Sequence, residues 1–168
     1  MPAGAELVAG PAPGDEGLVA VDADGNLLFA VTQPQVVDAR GRTIDAVVSV
    51  SGDRMLVSVE AADPEYPVVV SAAAISDLIN KVTRTTTSRG YIWEVQPTAY
   101  GRAAAEWIHA AWGWPEAVRK GVPNSQGLQE QYLCHPMSQV ARVKPTWNLD
   151  SWRPTVGLPA TIAALCNP

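Results

Sequence analysis

Between Leu18 and Val70 the chain alternates short apolar runs with tight polar breaks, a pattern that predicts strands joined by turns. Leu18–Val21 and Leu27–Val31 flank Asp22-Ala23-Asp24-Gly25-Asn26. An Asp/Gly break between apolar runs signals a hairpin, because glycine accepts the positive φ that such turns need. Val36-Val37 leads into a second turn, Asp38 to Arg42, and Ile44–Val50 is rich in β-branched residues that suit a half-buried strand. Ser51-Gly52-Asp53 turns the chain into Met55–Glu60, and Asp63-Pro64-Glu65 turns it again into Tyr66–Val70. Pro67 belongs at the first residue or the edge of its strand, since it cannot donate to a ladder. Turns at roughly ten-residue intervals predict a small antiparallel sheet or sandwich. Residues 1–16, rich in Ala, Gly and Pro, have the composition of a flexible leader.

The pattern changes after residue 72. Ala72–Lys81 places Ile75, Leu78 and Ile79 on one helical face, so a short helix is expected there. The polar run Thr83–Arg89 reads as a loop or an exposed edge, and Tyr91–Val95 as a strand ended by Gln96-Pro97. Thr98 is a suitable N-cap for a helix over Ala99–Trp112, which Gly113 would stop. Trp114-Pro115 then opens a second helix to Lys120, capped by Gly121. From Val122 onward prolines are frequent. Short strands near Gln129–Leu133 and Ala141–Val143, and a helical turn over Ala160–Leu165, are the regular elements expected. The whole predicts an α+β chain in three parts: a leader over 1–16, an antiparallel β module over 17–72, and a Trp-rich, disulfide-tied α+β domain over 73–168.

Composition sharpens that division. All six tryptophans, both histidines and both cysteines follow residue 72. Residues 1–70 carry 11 acidic and 3 basic side chains, a balance of −8; residues 71–168 carry 6 and 9, a balance of +3. The basic excess is dispersed, unlike the clustered Lys/Arg of a nucleic-acid footprint, so no nucleic-acid partner is expected. No apolar run reaches the length of a membrane span, and Met1–Ala5 lacks the features of a secretory signal, so an exported chain would be seen here without its signal. Two cysteines, Cys134 and Cys166, fit one disulfide in an oxidising compartment; two unrelated buried thiols are the alternative.

Cys134-His135 invites a nucleophile reading, but an activating base normally comes from elsewhere in the sequence, and a bridged Cys134 could not attack anything. His135 alone is the candidate general base, against the alternative of a buried imidazole bonded to backbone. His109, three residues after Glu106, could join it in a surface contact or at a metal, but no ligand spacing supports a metal or other cofactor. The densest block is Lys144–Pro154. Trp147 and Trp152 with Asp150 and Arg153 could form a stacking platform for a sugar or peptide, Arg153 gripping a carboxylate. Alternatively the tryptophans fill the core and Lys144, Asp150 and Arg153 form an internal ion pair. Trp112-Gly113-Trp114 carries the same two readings.

Cys134-His135, the Trp147–Pro154 block and the closing Cys166-Asn167-Pro168 together resemble a family of uncharacterised secreted proteins, mainly actinobacterial, over roughly residues 85–168. The first half is similar, on Asp38–Gly41 and Tyr66–Val69, to a β-rich module found ahead of domains in secreted actinobacterial proteins. The resemblance implies export and a disulfide, and no activity. The expected function is therefore a non-catalytic extracellular binding module for a cell-envelope sugar, peptide or protein. A secreted enzyme or toxin-like effector using His135, and a purely structural disulfide-clamped domain, are the alternatives.

Overall fold

Local strand propensity decides the first half of the chain, and long-range burial decides the second. The computed structural model describes residues 2–11, 17–60 and 63–168. They form two compact units that divide after Ser76.

The N-terminal unit is all antiparallel. β1 (Glu6–Ala9), β2 (Leu18–Val21), β3 (Leu27–Val31) and, further on, β8 (Ala74–Ile75) form one sheet in the order β1-β2-β3-β8. β4 (Gln35–Val37) pairs with β7 (Val69–Ser71), and β5 (Ala46–Ser51) with β6 (Arg54–Val59). The Asp22 turn forms as its residues predict. The Asp22 carboxylate accepts the N–H groups of Asp24 and Asn26 at 2.9 and 2.8 Å, while Gly25 takes φ +80°. All four residues of β2 are buried, making it the strand around which this unit is built. The leader reading changes in part: Leu7 and Val8 bring Glu6–Ala9 into register with β2 as a strand. Residues 12–16 of that leader lie outside the described residues. Pro67 precedes β7 rather than opening it.

The C-terminal unit is built on a sheet of order β11-β10-β9, formed by β9 (Ile79–Thr87), β10 (Gly90–Pro97) and β11 (Trp147–Asp150), all antiparallel. Helices α1 (Ala99–Ala103), α2 (Glu106–Ile108), α3 (Trp114–Arg119), α4 (Gln126–Met137), α5 (Gln139–Arg142) and α6 (Leu158–Ala163) complete it. A π-helical turn, His109–Gly113, joins α2 to α3.

Several local expectations give way to tertiary forces here. The helix expected over Ala72–Lys81 is β8 followed by the start of β9. The amides of Leu78 and Ile79 donate to the distant carboxylate of Glu116, at 3.0 and 3.1 Å, rather than into a helix. Thr98 caps α1 as read, its hydroxyl accepting the Gly101 N–H at 2.8 Å. The helix then breaks at the extended residues Ala104 and Ala105, and Ala104 is buried. Gly113 lies inside continuous helix instead of ending it. Gln129–Leu133, read as a strand, lies in α4, and Ala141–Val143 overlaps α5. α4 buries Leu128, Glu130, Gln131, Tyr132, Cys134 and His135, so polar and charged side chains are buried beside apolar ones. A helix whose buried positions mix polar with apolar residues carries no apolar stripe to announce it. Pro136 is tolerated in its last turn, and its own carbonyl, left without an intrahelical partner at the helix end, accepts from Arg142 Nε at 2.7 Å.

Candidate functional site

The chemistry-bearing residues of the second half converge inside the C-terminal unit. Trp147 on β11 is fully buried, and its indole N–H reaches the Arg142 carbonyl at 3.4 Å. Around it stand Tyr132 and His135 from α4 and His109 from the π turn, with ring centroids 5.3–5.7 Å from the Trp147 ring. His135 lies nearly parallel to the indole, at an interplanar angle of 23°. Trp114 packs against Tyr132, with ring centroids 5.8 Å apart.

Hydrogen-bond geometry fixes the protons. His109 Nε2 lies 2.7 Å from the Gly101 carbonyl, which can only accept, so Nε2 carries the hydrogen. Nδ1, 2.8 Å from the Tyr132 hydroxyl, is then the acceptor and Tyr132 the donor. His135 Nδ1 donates to the Gln131 carbonyl at 2.7 Å. Burial pushes both imidazoles down to about 4, outweighing the carbonyls that favour protonation, and the charges of Arg142 on His109 and Lys144 on His135 act in the same downward direction. Burial, reinforced by the charge of Glu116, holds the Tyr132 phenol well above its ordinary range.

Two glycines make room for this network. A β-carbon at Gly113 would overlap the Tyr132 hydroxyl and lie 2.7 Å from His109 Nδ1; at Gly101 it would run into the Leu78 carbonyl. Gly113→Ala is therefore expected to lower stability by about 2 kcal/mol through overpacking, although alanine alone would favour the helix by about 1 kcal/mol. A drop in the urea midpoint checks this, and an unchanged or raised midpoint refutes it.

The tyrosines provide a second contrast. The Tyr100 hydroxyl is buried with no hydrogen-bond partner among the described residues, whereas the Tyr132 hydroxyl serves His109. Tyr100→Phe should be neutral or stabilising by up to about 1 kcal/mol, while Tyr132→Phe should cost about 1–3 kcal/mol by leaving a buried nitrogen unpaired. Chemical denaturation of the two variants side by side reads the difference, and equal losses would contradict the assignment.

The predicted site residues divide between core and clamp. Trp147 belongs to the core and offers no surface for stacking. Trp152 is half-buried against Gly90, with its indole N–H buried and unpaired among the described residues. Asp150 is buried and bonded to Arg153, Nε to Oδ2 at 3.0 Å; the rest of the guanidinium reaches the Pro168 carbonyl and Asn167 Oδ1 at 3.4 and 3.3 Å. Arg153 thus ties the tail down, and the Trp147/Trp152 platform does not form because β11 pairs with β10 and turns Trp147 inward. Cys134 and Cys166 are disulfide-bonded, which removes Cys134 as a nucleophile. His135 has a backbone carbonyl partner rather than the carboxylate and open cleft that acid–base work would require. The π turn buries His109 while Glu106 stays exposed, so the Glu106–His109 contact is not what organises this helix.

Three buried polar residues gave no sign of their role in the sequence. Gln131 gives its amide to the Gly127 and Asp150 carbonyls and accepts the Asp150 N–H at 2.8 Å, closing the outer edge of β11 as a neighbouring strand would. Glu130 accepts from Gln126 and from the Gly157 amide at the start of α6. Glu116 holds the start of β9. Among the described residues no group of three or more His, Cys, Asp or Glu side chains is placed to hold a metal ion.

Fold and site together define a Trp-rich α+β module, clamped by one disulfide and centred on a satisfied histidine–aromatic core. Residues 79–168, more than half of the chain, match the family described as protein of unknown function DUF2599. The chain belongs to that uncharacterised actinobacterial family. It is 33% identical over 81 residues to the uncharacterised proteins Mb0487 of Mycobacterium bovis and Rv0477 of Mycobacterium tuberculosis, covering 44% of this chain and 54% of each relative. The chain thus spans about half the length of the curated relatives it matches. No solved structure matches it. No helix among the described residues is long and apolar enough to cross a membrane.

Proposed function

We propose that this chain is an exported, non-catalytic interaction module that works at the actinobacterial cell envelope. One observation carries the reading. The groups best suited to catalysis in the C-terminal unit, His109, Tyr132, His135, Glu116, Glu130 and Asp150, are buried and spent on internal hydrogen bonds. What the unit offers outward is surface, held rigid from within. The disulfide supports export, since such bridges persist in oxidising compartments. We take the Cys134-His135 pair, the Trp147–Pro154 block and the Cys166–Pro168 tail as the family's mark, because all three serve this clamp and core.

Co-sedimentation of the full chain with isolated mycobacterial cell envelope tests the proposal. Saturable sedimentation, unchanged in His135→Phe, is the expected result. A chain that stays wholly in the supernatant, or an envelope-modifying activity that His135→Phe abolishes while the fold survives, would overturn it.

A further inference from the structure

The corner of the C-terminal unit around the disulfide combines three features. The bridge joins α4 to the segment after α6, with Cα atoms 5.5 Å apart, and buries Cys134, Ala141 and Cys166 with Leu158 and Ile162 packed against them. On the solvent side of this small core stand four aliphatic side chains: Met137, Val140, Val143 and Leu165 are 41, 76, 73 and 73% exposed. Val140 and Val143 lie about one helical turn apart on the face of α5 opposite buried Ala141, Met137 lies one turn beyond Cys134, and Leu165 adjoins Cys166. They therefore gather at one end of the unit.

Leu165 provides an independent observation. It and Cys166 hold left-handed backbone, at φ 53° and 66°, a conformation that non-glycine residues rarely adopt. The disulfide and the Cys166 N–H to Thr161 carbonyl bond, 2.9 Å, fasten the chain there. An unfavourable backbone thus ends in a leucine pointed at solvent, the reverse of what burial would select.

Charge narrows the partner. Residues 136–146 and 156–168 contain Arg142 and Lys144 and no acidic side chain. Neither cation joins an ion pair among the described residues. Protruding aliphatics without an aromatic anchor are poor hot spots for a rigid protein pocket, where Trp, Tyr and Arg dominate. They suit a deformable phase, and the positive charge of exposed Lys144 and half-buried Arg142 suits anionic headgroups.

We propose that this corner docks on an anionic lipid surface, its aliphatic side chains entering the interfacial layer, exposed Lys144 facing the headgroup phosphates, and Arg142, held on the Pro136 carbonyl, adding its positive charge. The inference rests on the interaction-module reading and names the partner.

The test is sedimentation of the full chain with vesicles of phosphatidylcholine alone and of phosphatidylcholine mixed with phosphatidylglycerol. Binding should be roughly tenfold or more tighter on the mixed vesicles and should weaken with added salt. Val140→Asp/Val143→Asp, both at exposed positions, should keep the wild-type urea midpoint and lose vesicle binding by about tenfold or more. Lys144→Glu should weaken binding to the mixed vesicles only. Absence of binding to the mixed vesicles, or binding that survives the double substitution, overturns the proposal. So does a cross-linker at position 140 that captures an envelope protein while the vesicles stay bare, which would assign the corner to a protein partner. A chain that sediments with envelope but with neither vesicle loses this inference alone; one that sediments with none of the three loses the interaction reading as well.

Discussion

Lowering the pH from 7 to 4 should unfold the C-terminal unit. His109 and His135 are neutral in the fold, each with its pKa lowered from 6.5 to about 4 by burial. In the unfolded chain they protonate as the pH falls through 6.5, whereas the folded chain resists until about 4. The stability they contribute is therefore fully present above pH 6.5 and is lost as the pH falls toward 4, the direction linkage requires when the unfolded state binds more protons. Each shift, at 1.36 kcal/mol per pKa unit, corresponds to about 3 kcal/mol. Both together approach the roughly 5–15 kcal/mol by which a whole domain is stable. Tryptophan fluorescence against pH should show a cooperative transition between pH 6.5 and 4. His135→Phe, which keeps a ring against Trp147, should move the midpoint to lower pH and reduce proton uptake by nearly one. A transition with unchanged proton uptake in that variant would show that other groups govern acid stability.

Removing the bridge is the second large perturbation. Cys134 and Cys166 are 32 residues apart, and closing a loop of that length restricts the unfolded chain by about 4 kcal/mol on the chain-entropy estimate. The native contacts at the bridge are mostly local to it, with Ala141, Leu158 and Ile162 packed around the two sulfurs. Cys134→Ala/Cys166→Ala should lose that amount plus a smaller packing loss, with α6 and the following tail released first. Amide exchange over residues 157–168 should rise well before exchange in β10. Uniform acceleration across the unit would mean that the tail and the sheet unfold together. Since both cysteines are buried, the native bridge should also resist mild reductant until the unit opens.

The N-terminal hairpins were legible because their determinants are local: Asp22 and Gly25 shape one turn and β-branched runs flank it, with no need of distant partners. The second half was legible only in fragments. Thr98 announced a cap, and the cysteine count announced a bridge. α4 was hidden because Gln131 and Glu130 look like surface residues until β11 and α6 supply the backbone groups that they bind. Trp147 allowed both a groove and a core, and the pairing of β11 with β10 decides for the core. Arg153 and Asp150 meet as two members of the internal ion pair that the sequence offered as the alternative to a ligand grip, while Lys144 stays exposed and outside it. Aromatic clustering located the dense region; the side facing water depended on contacts far apart in the chain.

The Glu116 carboxylate also sets how this unit bears load. Its two bonds hold the Leu78 and Ile79 amides, with Lys120 3.3 Å from the same carboxylate. A pull along the chain ahead of residue 78 therefore meets a helix-mounted anchor before it reaches the β9–β10 ladder. Strands peel apart readily when tugged one hydrogen bond at a time from a free end, and this end is not free. Tension on whatever precedes the family domain falls first on the Glu116 bonds, ahead of its sheet.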